Sequence, residues 1–364
     1  MNMPLTGRPI GLDGIPAAVT ALSLVDGENG VLVIAGLPVE RLAESFSFEA
    51  VAARLWRIAD PRAEAVEAAA FGRLRAAAFA EALQICPSLV RLGPVEGLRA
   101  ALAALDIPDG PGAAAAIVAA VPVLLATLEA LRAGRTPLAP DPALGHAADT
   151  LRMLRGAPPS PAAARALAAY LTTVSDHGMN ASTFACRVVT ATRASLVSAV
   201  TAAYGALTGP LHGGAPGPVL DMLDEIGERT AIAPWIAAAL SRGERLMGFG
   251  HRIYRTRDPR ADVLKAALER LAPATPRLAF ALEVEREARA QLKARHPERP
   301  LDTNVEFYTA LLLDALGLPR GLFTPLFAVG RVAGWTAHAM EHHARAGRLI
   351  RPEALYDGAM PEAA

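Results

Sequence analysis

One basic stretch of the sequence, "GFGHRIYRTRDPRA", combines residue types that could bind and polarise an anionic molecule. His251 is followed within ten residues by Arg252, Arg255, Arg257 and Arg260. Arginine suits bidentate hydrogen bonding to carboxylate and phosphate groups, and histidine can exchange a proton near neutral pH. The chain as a whole has 36 basic and 36 acidic residues, so any anion binding must be local. Charge pattern alone leaves two alternatives open, a solvated basic turn and an anion site.

The residues at the end of this stretch predict a helix that begins near Asp258, in "DPRADVLKAALERLA". Arg260 would then lie in the first turn, where a cation opposes the helix dipole and is unfavourable unless it serves an anion. The Gly-Phe-Gly before His251 is not a dinucleotide fingerprint, because the third glycine and the βαβ context are missing.

Three more polar residues have surroundings that could support chemistry. His212 lies among glycines and prolines in "GPLHGGAPG", which is compatible with a proton-transfer group and with an ordinary surface loop. His177 lies in "SDHGMNAS" before an apolar helix, where a polar cluster is often only a helix cap. Glu306 lies at helical spacing among apolar residues in "TNVEFYTALLLDALG", so it is either solvent-facing or a partly buried base with a raised pKa.

A fifth pattern, "HAMEH" at residues 338–342, has the inverted zinc-peptidase spacing H-x-x-E-H. Two imidazoles one helical turn apart could share a metal ion. The match is short and no third ligand is evident, so we expect no metal site.

The elements that must position these residues are predicted to be helices. Apolar residues recur at three- and four-residue spacing through most of the chain, and glycine or proline separates the segments. Ser160 before Pro161 predicts the capped start of one such helix. The convincing strand material is confined to residues 29–36, "NGVLVIAG", which predicts a small hairpin. The sequence therefore indicates an all-α protein with one small N-terminal β-hairpin.

Composition narrows the location and the partners. Cys86 and Cys186 give no disulfide framework and are expected to be buried, as suits a reducing cytoplasm. The N-terminus lacks the features of a signal peptide, and the balanced charge predicts binding neither to nucleic acid nor to a membrane surface. Residues 113–128 are apolar but too short for a bilayer and contain Pro122, so they predict a buried core helix.

Taken together, the motifs resemble the citrate synthase family over nearly the whole length. The N-terminal "GLDGIPAAVTALSLVDGENGVLVIAG" and the central "SDHGMNAST", "GPLHGG", "GFGHRIYRTRDPRA", "NVEFY" and "LFAVGRVAGWTAH" follow in the family's order. The resemblance implies an all-α homodimer with a small N-terminal hairpin. Residues 1–212 and 315–364 would form the large domain, and residues 213–314 a small domain that closes over the site.

The chemistry implied by the resemblance is condensation of acetyl-CoA with oxaloacetate, followed by thioester hydrolysis to citrate and CoA, a step of the tricarboxylic acid cycle. Glu306 would be the base, His212 the neutral donor to the enolate oxygen, and His251 the group that polarises the oxaloacetate ketone. The residues that would bind the oxaloacetate carboxylates are His177, Arg260, Arg331 and Arg351, the last from the partner subunit.

The resemblance also implies a CoA-binding region and no permanently bound cofactor. Arg255 would contact CoA phosphates. The adenine would lie against the backbone of Leu246, Met247, Gly248 and Gly250. The two remaining arginines of the basic stretch, Arg252 and Arg257, are expected to be solvated charges.

The sequence departs from the family's usual pattern at three positions. Glu306 stands where Asp is usual, Pro216 where Asn is common, and Ala35 where Arg is usual. Two alternatives to citrate synthase therefore stay open. One is a 2-methylcitrate synthase that uses propionyl-CoA, and the other is a weakly active or inactive paralogue that acts as a binding or regulatory subunit.

Overall fold

The structure of the chain is a computed structural model that describes residues 12, 14–213, 216–273, 275–299, 301–356 and 358–359. Within these residues, helices account for most of the regular structure and a single small sheet lies near the N-terminus. The strands are β1 (Ser23–Asp26), β2 (Val31–Ile34) and β3 (Leu37–Pro38), and the helices are α1 (Val39–Ser45), α2 (Phe48–Ala59), α3 (Ala68–Ile85), α4 (Pro94–Ala103), α5 (Ala113–Arg132), α6 (His146–Arg155), α7 (Pro161–Thr173), α8 (Ala181–Ala191), α9 (Leu196–Leu207), α10 (Pro216–Ile226), α11 (Ile232–Ser241), α12 (Pro259–Leu271), α13 (Pro276–Arg295), α14 (Val305–Ala315) and α15 (Phe323–Ala344). The prediction of an all-α fold with a small N-terminal hairpin is confirmed.

The sheet is antiparallel in the order β1-β2-β3, so the structure adds a short third strand to the predicted hairpin. Ser23 is opposite Ile34 in the first pair, and Ile34 is opposite Leu37 in the second. The turn between β2 and β3 places Ala35 at φ 51° and Gly36 at φ 79°. Two successive residues of positive φ suit the right-handed twist of a tight hairpin, although the conformation is unusual for alanine.

The apolar segment expected to be a core helix is α5. It continues through Pro122 to Arg132, and its faces pack against α3, α4, α6 and α15. It passes a length and composition test for a membrane span, but 83% of its apolar window is buried inside the protein. The interior of the helical domain therefore accounts for its hydrophobicity. Cys86 and Cys186 are also buried, as expected.

Helix α15 is the central element of the core and is buried on almost every side. It packs against α2, α5, α7, α8 and α9. A close approach at Gly334 brings this helix against the segment between α7 and α8, because a Cβ there would lie 2.3 Å from the Ser175 carbonyl oxygen. The Gly334 N–H donates to that same oxygen over 3.0 Å. Helix α15 therefore supports the segment that includes His177.

The predicted helix starts are confirmed where the sequence offered a capping residue. The Ser160 side chain accepts from the Ala163 N–H at the start of α7. Asp258 is the N-cap of α12 and accepts from the Arg260 N–H. Helix α12 packs on α7 and α14, while α10 contacts α14 and α11 contacts α13. Helices α12 and α14 contact α7, and α10 contacts α15, so this part of the chain packs against the remaining helices at several places.

Candidate active site

His251 follows a glycine loop and is held by the backbone that comes after it. Its Nδ1 accepts from the N–H of Ile253 over 3.0 Å and from the N–H of Tyr254 over 3.1 Å. A neutral imidazole that accepts at Nδ1 has its proton on Nε2. Burial, with the nearby Arg260 charge, lowers the pKa of His251 to about 4, so the ring is neutral at pH 7. The Nε2–H is therefore a neutral donor aimed into the site.

Arg260 lies beside this donor in the first turn of α12. Its Nη2 is 3.3 Å from His251 Nε2. The guanidinium also pairs with both carboxylate oxygens of Asp258, through Nε over 3.0 Å and Nη2 over 2.8 Å. A cation in the first turn of a helix was expected to serve an anion. Here the chain itself provides that anion, the carboxylate of the N-cap residue Asp258. An arginine can only donate, so an Nε2–H on His251 leaves two donor groups side by side, an arrangement that suits one ligand oxygen accepting from both.

The other arginines of the basic stretch have different surroundings. Arg257 is not a solvated charge: it pairs with Asp262, Glu285 and Asp302 over 2.6, 2.9 and 3.2 Å. That prediction is wrong because three acidic side chains, distant in sequence from one another, converge on it in the folded chain. Arg252 and Arg255 are exposed.

The glycine loop before His251 is joined to the start of α14. Phe249 forms an isolated antiparallel bridge with Thr303, and the Gly250 N–H donates to the Asp302 carbonyl over 2.8 Å. Gly248 and Gly250 have φ of 83° and 81°, which favours glycine at both positions. These contacts fix the distance between His251 and the first turn of α14.

Two more residues named for CoA binding lie in the same loop. Leu246 is buried and Met247 is half-buried. The Gly248 carbonyl accepts from the Asn304 N–H, and the Gly250 carbonyl accepts from Asn304 Nδ2, each over 2.9 Å. The carbonyl groups of Gly248 and Gly250 are therefore used within the protein, where they hold the loop against Asn304.

Glu306 is the second residue of α14, where Asn304 caps the helix by accepting from the Glu306 N–H over 3.1 Å. Its Oε2 is buried without a hydrogen-bond partner among the described residues. Burial raises the pKa of Glu306 above its ordinary value, although the Arg260 charge opposes this shift. Of the two alternatives for this residue, the structure supports the partly buried carboxylate with a raised pKa.

Arg331 enters the same region from α15. Its Nε donates to the Val174 carbonyl over 2.6 Å, and its guanidinium carbon lies 4.8 Å from the centre of the Phe327 ring. Burial lowers the pKa of Arg331 to about 10, with Asp176 opposing the shift, so the side chain stays charged at neutral pH. Within the described residues, its Nη2 and the Tyr170 hydroxyl are buried without hydrogen-bond partners. Buried polar atoms of this kind are normally satisfied, here by polar atoms of a ligand or by water.

His177 lies between α7 and α8, and its Nε2 is 3.1 Å from the Tyr254 hydroxyl. Its ring centre is 5.7 Å from that of His251. Burial and the charges of Arg260 and Arg331 hold the pKa of His177 well below its ordinary value. The helix cap that the sequence also allowed here is present, but it is provided by Asn180, whose side chain accepts from the Ser182 and Thr183 N–H groups.

His212 approaches from the turn after α9. Its Nε2 is 2.9 Å from the Ser182 hydroxyl, which accepts from Trp335 Nε1 over 3.1 Å and donates to Asn180 Oδ1 over 2.7 Å. Burial, followed by the charges of Arg331 and Arg260, lowers the pKa of His212 to about 4. The site therefore combines three neutral imidazoles and two buried guanidinium groups with the partly buried carboxylate of Glu306.

Two of the motif residues lie elsewhere. Arg351 is exposed on the segment after α15, so its expected role depends on a second copy of the chain. At residues 338–342, where the sequence has the zinc-peptidase spacing, both ring nitrogens of His338 are engaged by protein groups. Nε2 is 3.2 Å from an Asp176 oxygen and Nδ1 is 2.8 Å from Arg187, which also pairs with Glu341. No group of three or more potential metal ligands occurs in the part of the chain described by the structure.

Sequence reasoning missed three residues that shape the site. Tyr254 lies only three residues after His251, and Ser182 lies in the "DHGMNAS" segment, so a closer reading of each motif's neighbours could have found them. Tyr170 carried no signal, because it is one apolar-face residue of an ordinary helix pattern. Its nearness to Arg331 and Glu306 arises only from packing.

The arrangement is that of an all-helical protein in which a partly buried carboxylate, neutral imidazoles and buried guanidinium groups lie together, which suits proton transfer on an anionic molecule. The family model "Citrate synthase, C-terminal domain" matches residues 11–353. Citrate synthase 2 of Bacillus subtilis is 37% identical over 361 residues, covering 96% of this chain and 95% of that protein. The 2-methylcitrate synthase of Mycobacterium tuberculosis is 37% identical over 360 residues, covering 96% and 90%.

Among solved structures, the fold matches citrate synthase of the archaeon Thermoplasma acidophilum, in ternary complex with carboxymethyl coenzyme A and oxaloacetate. The TM-score is 0.86 at 25% identity, with 97% of each chain covered. The chain therefore belongs to the citrate synthase family, whose members are acyltransferases.

Proposed function

We propose that this protein condenses acetyl-CoA with oxaloacetate and hydrolyses the resulting thioester to citrate and CoA. The observation that carries this proposal is a partly buried carboxylate, Glu306, whose Oε2 has no hydrogen-bond partner among the described residues and whose pKa is raised, in a site that also holds neutral imidazoles at His212 and His251. A thioester methyl is a weak acid, so its deprotonation needs a base beside the carbon and a donor on the developing enolate oxygen.

Glu306 takes the methyl proton in this proposal, and His212 donates to the enolate oxygen from Nδ1. Donation from Nδ1 requires a neutral ring that accepts at Nε2. The Ser182 hydroxyl lies 2.9 Å from that nitrogen. The Ser182 hydroxyl also lies 2.7 Å from Asn180 Oδ1, to which it donates in this structure, and Trp335 Nε1 can only donate to it. In this proposal the hydroxyl proton turns to His212 Nε2, because Asn180 Oδ1 already accepts two backbone N–H groups.

Oxaloacetate binds with its ketone oxygen on His251 Nε2–H. This contact makes the carbonyl carbon more electrophilic, and the same nitrogen provides the proton that the product alkoxide takes up. The carboxylates are held by cations and donors that lie in or face the site: His177, Arg260 and Arg331, with Arg351 from a second copy of the chain. The buried and unpartnered Nη2 of Arg331 supports its assignment to a carboxylate.

The acyl-CoA approaches from the exposed side of the basic stretch. Arg255, which is exposed, binds CoA phosphates, and residues 246–250 line the adenine site. Residues 213–314 form the small domain, and closure of this domain on residues 1–212 and 315–364 excludes water until the carbon–carbon bond has formed. We further propose a cytoplasmic homodimer with a shared site and no permanently bound cofactor.

A second candidate, 2-methylcitrate synthesis from propionyl-CoA, is supported by the 2-methylcitrate synthase of M. tuberculosis, which matches this chain as well as the Bacillus citrate synthase does. The two substrates differ by one methylene, which is worth about 1–3 kcal/mol in an apolar pocket. Selectivity between them is therefore expected to be modest.

The test is release of free thiol from acetyl-CoA or propionyl-CoA in the presence of oxaloacetate. We expect oxaloacetate-dependent turnover by the wild type with acetyl-CoA preferred, and loss of turnover in Glu306→Gln. The control is Glu298→Gln, because Glu298 is an exposed glutamate. A preference for propionyl-CoA would favour the second candidate. Background turnover with both thioesters would indicate the inactive paralogue instead.

A further inference from the structure

We infer that the turn of the N-terminal hairpin is a positioning device for His251, and that Gly27 is the residue that permits it. This inference rests on the proposed role of His251 at the oxaloacetate ketone. The turn comprises residues 27–30, between β1 and β2, and lies more than two hundred residues before the loop it contacts.

The first step is the way in which His251 itself is held. Its Nδ1 accepts two backbone N–H groups, those of Ile253 and Tyr254. Any displacement of this short backbone segment therefore rotates or translates the imidazole and redirects Nε2–H. Within this segment Tyr254 is buried against His177, but Ile253 and Arg255 on either side of it are exposed, so interior packing holds only the middle residue of the three.

The second step is the contact between this segment and the hairpin turn. The Arg255 N–H donates to the Gly27 carbonyl over 2.8 Å. A Cβ on Gly27 would lie 2.4 Å from the Ile253 carbonyl oxygen and 2.8 Å from its carbon. A Cβ on Gly30 would likewise lie 2.4 Å from the Thr256 hydroxyl oxygen. The turn and the loop thus meet backbone to backbone, at a distance that only glycine allows.

The third step is that the opposite end of β1 is anchored beside His177. The Ser23 hydroxyl donates to Asp176 over 2.6 Å and accepts from the Gly178 N–H over 2.8 Å. Strand β1 therefore connects the residues on both sides of His177 with the loop after His251. A strand of four residues has little freedom in length, so it holds the two histidine segments at a set separation.

The turn is itself reinforced, which suits this role. Asp26 accepts from the Asn29 N–H over 3.1 Å and from Asn29 Nδ2 over 2.7 Å. These hydrogen bonds lower the pKa of Asp26. The contact also joins the hairpin to residues 213–314, which we propose to be the small domain.

The experiment is a methyl group inserted at the contact, with Gly27→Ala. Opening the gap from 2.4 Å to an ordinary contact of at least 3.4 Å requires a relative movement of about 1 Å. A misplacement of about 1 Å at a catalytic group can cost on the order of a hundredfold. We expect kcat/KM for oxaloacetate to fall about 10- to 100-fold, with the thermal midpoint within a few degrees of wild type. The matched control is Gly205→Ala in α9, where a Cβ meets nothing within 4 Å.

Two further measurements distinguish positioning from loss of structure. The ¹³C shift of the ketone carbon of bound, C2-labelled oxaloacetate reports polarisation by His251, and it should move towards the free value in Gly27→Ala. Asn29→Ala loosens the turn without a clash and should change the same shift in the same direction by less. Amide exchange at Arg255 should speed up in both variants.

The outcomes separate this inference from the proposed function. If turnover is lost in His251→Asn while Gly27→Ala keeps both wild-type turnover and the wild-type ketone shift, the inference is overturned and the proposed function stands. Wild-type protein that neither binds oxaloacetate nor turns over refutes the proposed function, and faster Arg255 exchange would then show only that the contact exists. An equal loss in Gly205→Ala would also overturn the inference, because the effect would not be specific to the turn.

Discussion

Shortening Glu306 to aspartate restores the residue that the family usually has, and we expect it to impair this protein. The first turn of α14 is fixed by the Asn304 cap and by the bridge of Phe249 to Thr303, so the helix cannot easily advance to compensate. Removing one methylene therefore withdraws the carboxylate by about 1 Å from the substrate carbon, which corresponds to a loss on the order of a hundredfold. Glu306→Gln, which removes the base altogether, should lose about 10²- to 10⁴-fold.

The assay is initial-rate thiol release from acetyl-CoA at saturating oxaloacetate, with single-turnover measurements to isolate the chemical step. Glu306 is not among the carboxylate-binding residues, so the loss should fall on kcat while KM for oxaloacetate stays within about twofold. A Glu306→Asp variant as fast as wild type would refute the reasoning that the surroundings of α14 are built for the longer side chain. A large rise in KM for oxaloacetate with kcat unchanged would instead place Glu306 in the carboxylate site.

Three further predictions concern the neutral imidazoles and a buried ion pair. Ser182→Ala should lower kcat about tenfold or more with little change in KM for oxaloacetate, because His212 loses the hydroxyl that orients it; an unchanged kcat in steady-state assays would contradict this. His212 and His251 have pKa values of about 4 in the folded protein, against about 6.5 in the unfolded chain. Between these two pH values the unfolded chain binds more protons, so the free energy of unfolding falls as the pH drops from about 6.5 to about 4. Urea titrations should show this fall reduced in His251→Asn, by at most about 3 kcal/mol at pH 4. Asp149 and Arg75 form an ion pair in which both side chains are fully buried, so Asp149→Asn leaves the Arg75 charge without its partner. The free energy of unfolding, measured by denaturant titration, should drop by about 3–5 kcal/mol, while kcat per folded molecule stays unchanged.

Much of the fold was predictable from local chemistry. The helix starts at Ser160 and Asp258 follow from capping residues placed directly before apolar repeats, and those signals depend only on neighbouring residues. The core helix α5 was equally clear, since its hydrophobicity is continuous, although the helix extends beyond the expected residues 113–128 to Arg132. Strand β3 was not foreseen, because two residues that pair only through a tight turn carry almost no periodicity.

The candidate site was likewise predictable only in part from the sequence. The types and order of His177, His212, His251 and Glu306 were readable from the motifs around them. The sequence could not say whether these side chains were neutral or charged, because the pKa of each depends on burial and on charges brought in from other elements. Arg257 illustrates the same limit: it reads as a solvated charge, yet Asp262, Glu285 and Asp302 converge on it from separate parts of the chain.

The sequence by itself determined the helical class, the family resemblance and the residue types available for chemistry, because composition and short-range spacing encode them. Only the tertiary structure decided which residues position the others. It placed Tyr254 on His177, Ser182 on His212 and the hairpin turn against the loop after His251. The physical reason is that these contacts join segments tens to hundreds of residues apart. Their distances are set by how whole helices and strands pack, which no local pattern records.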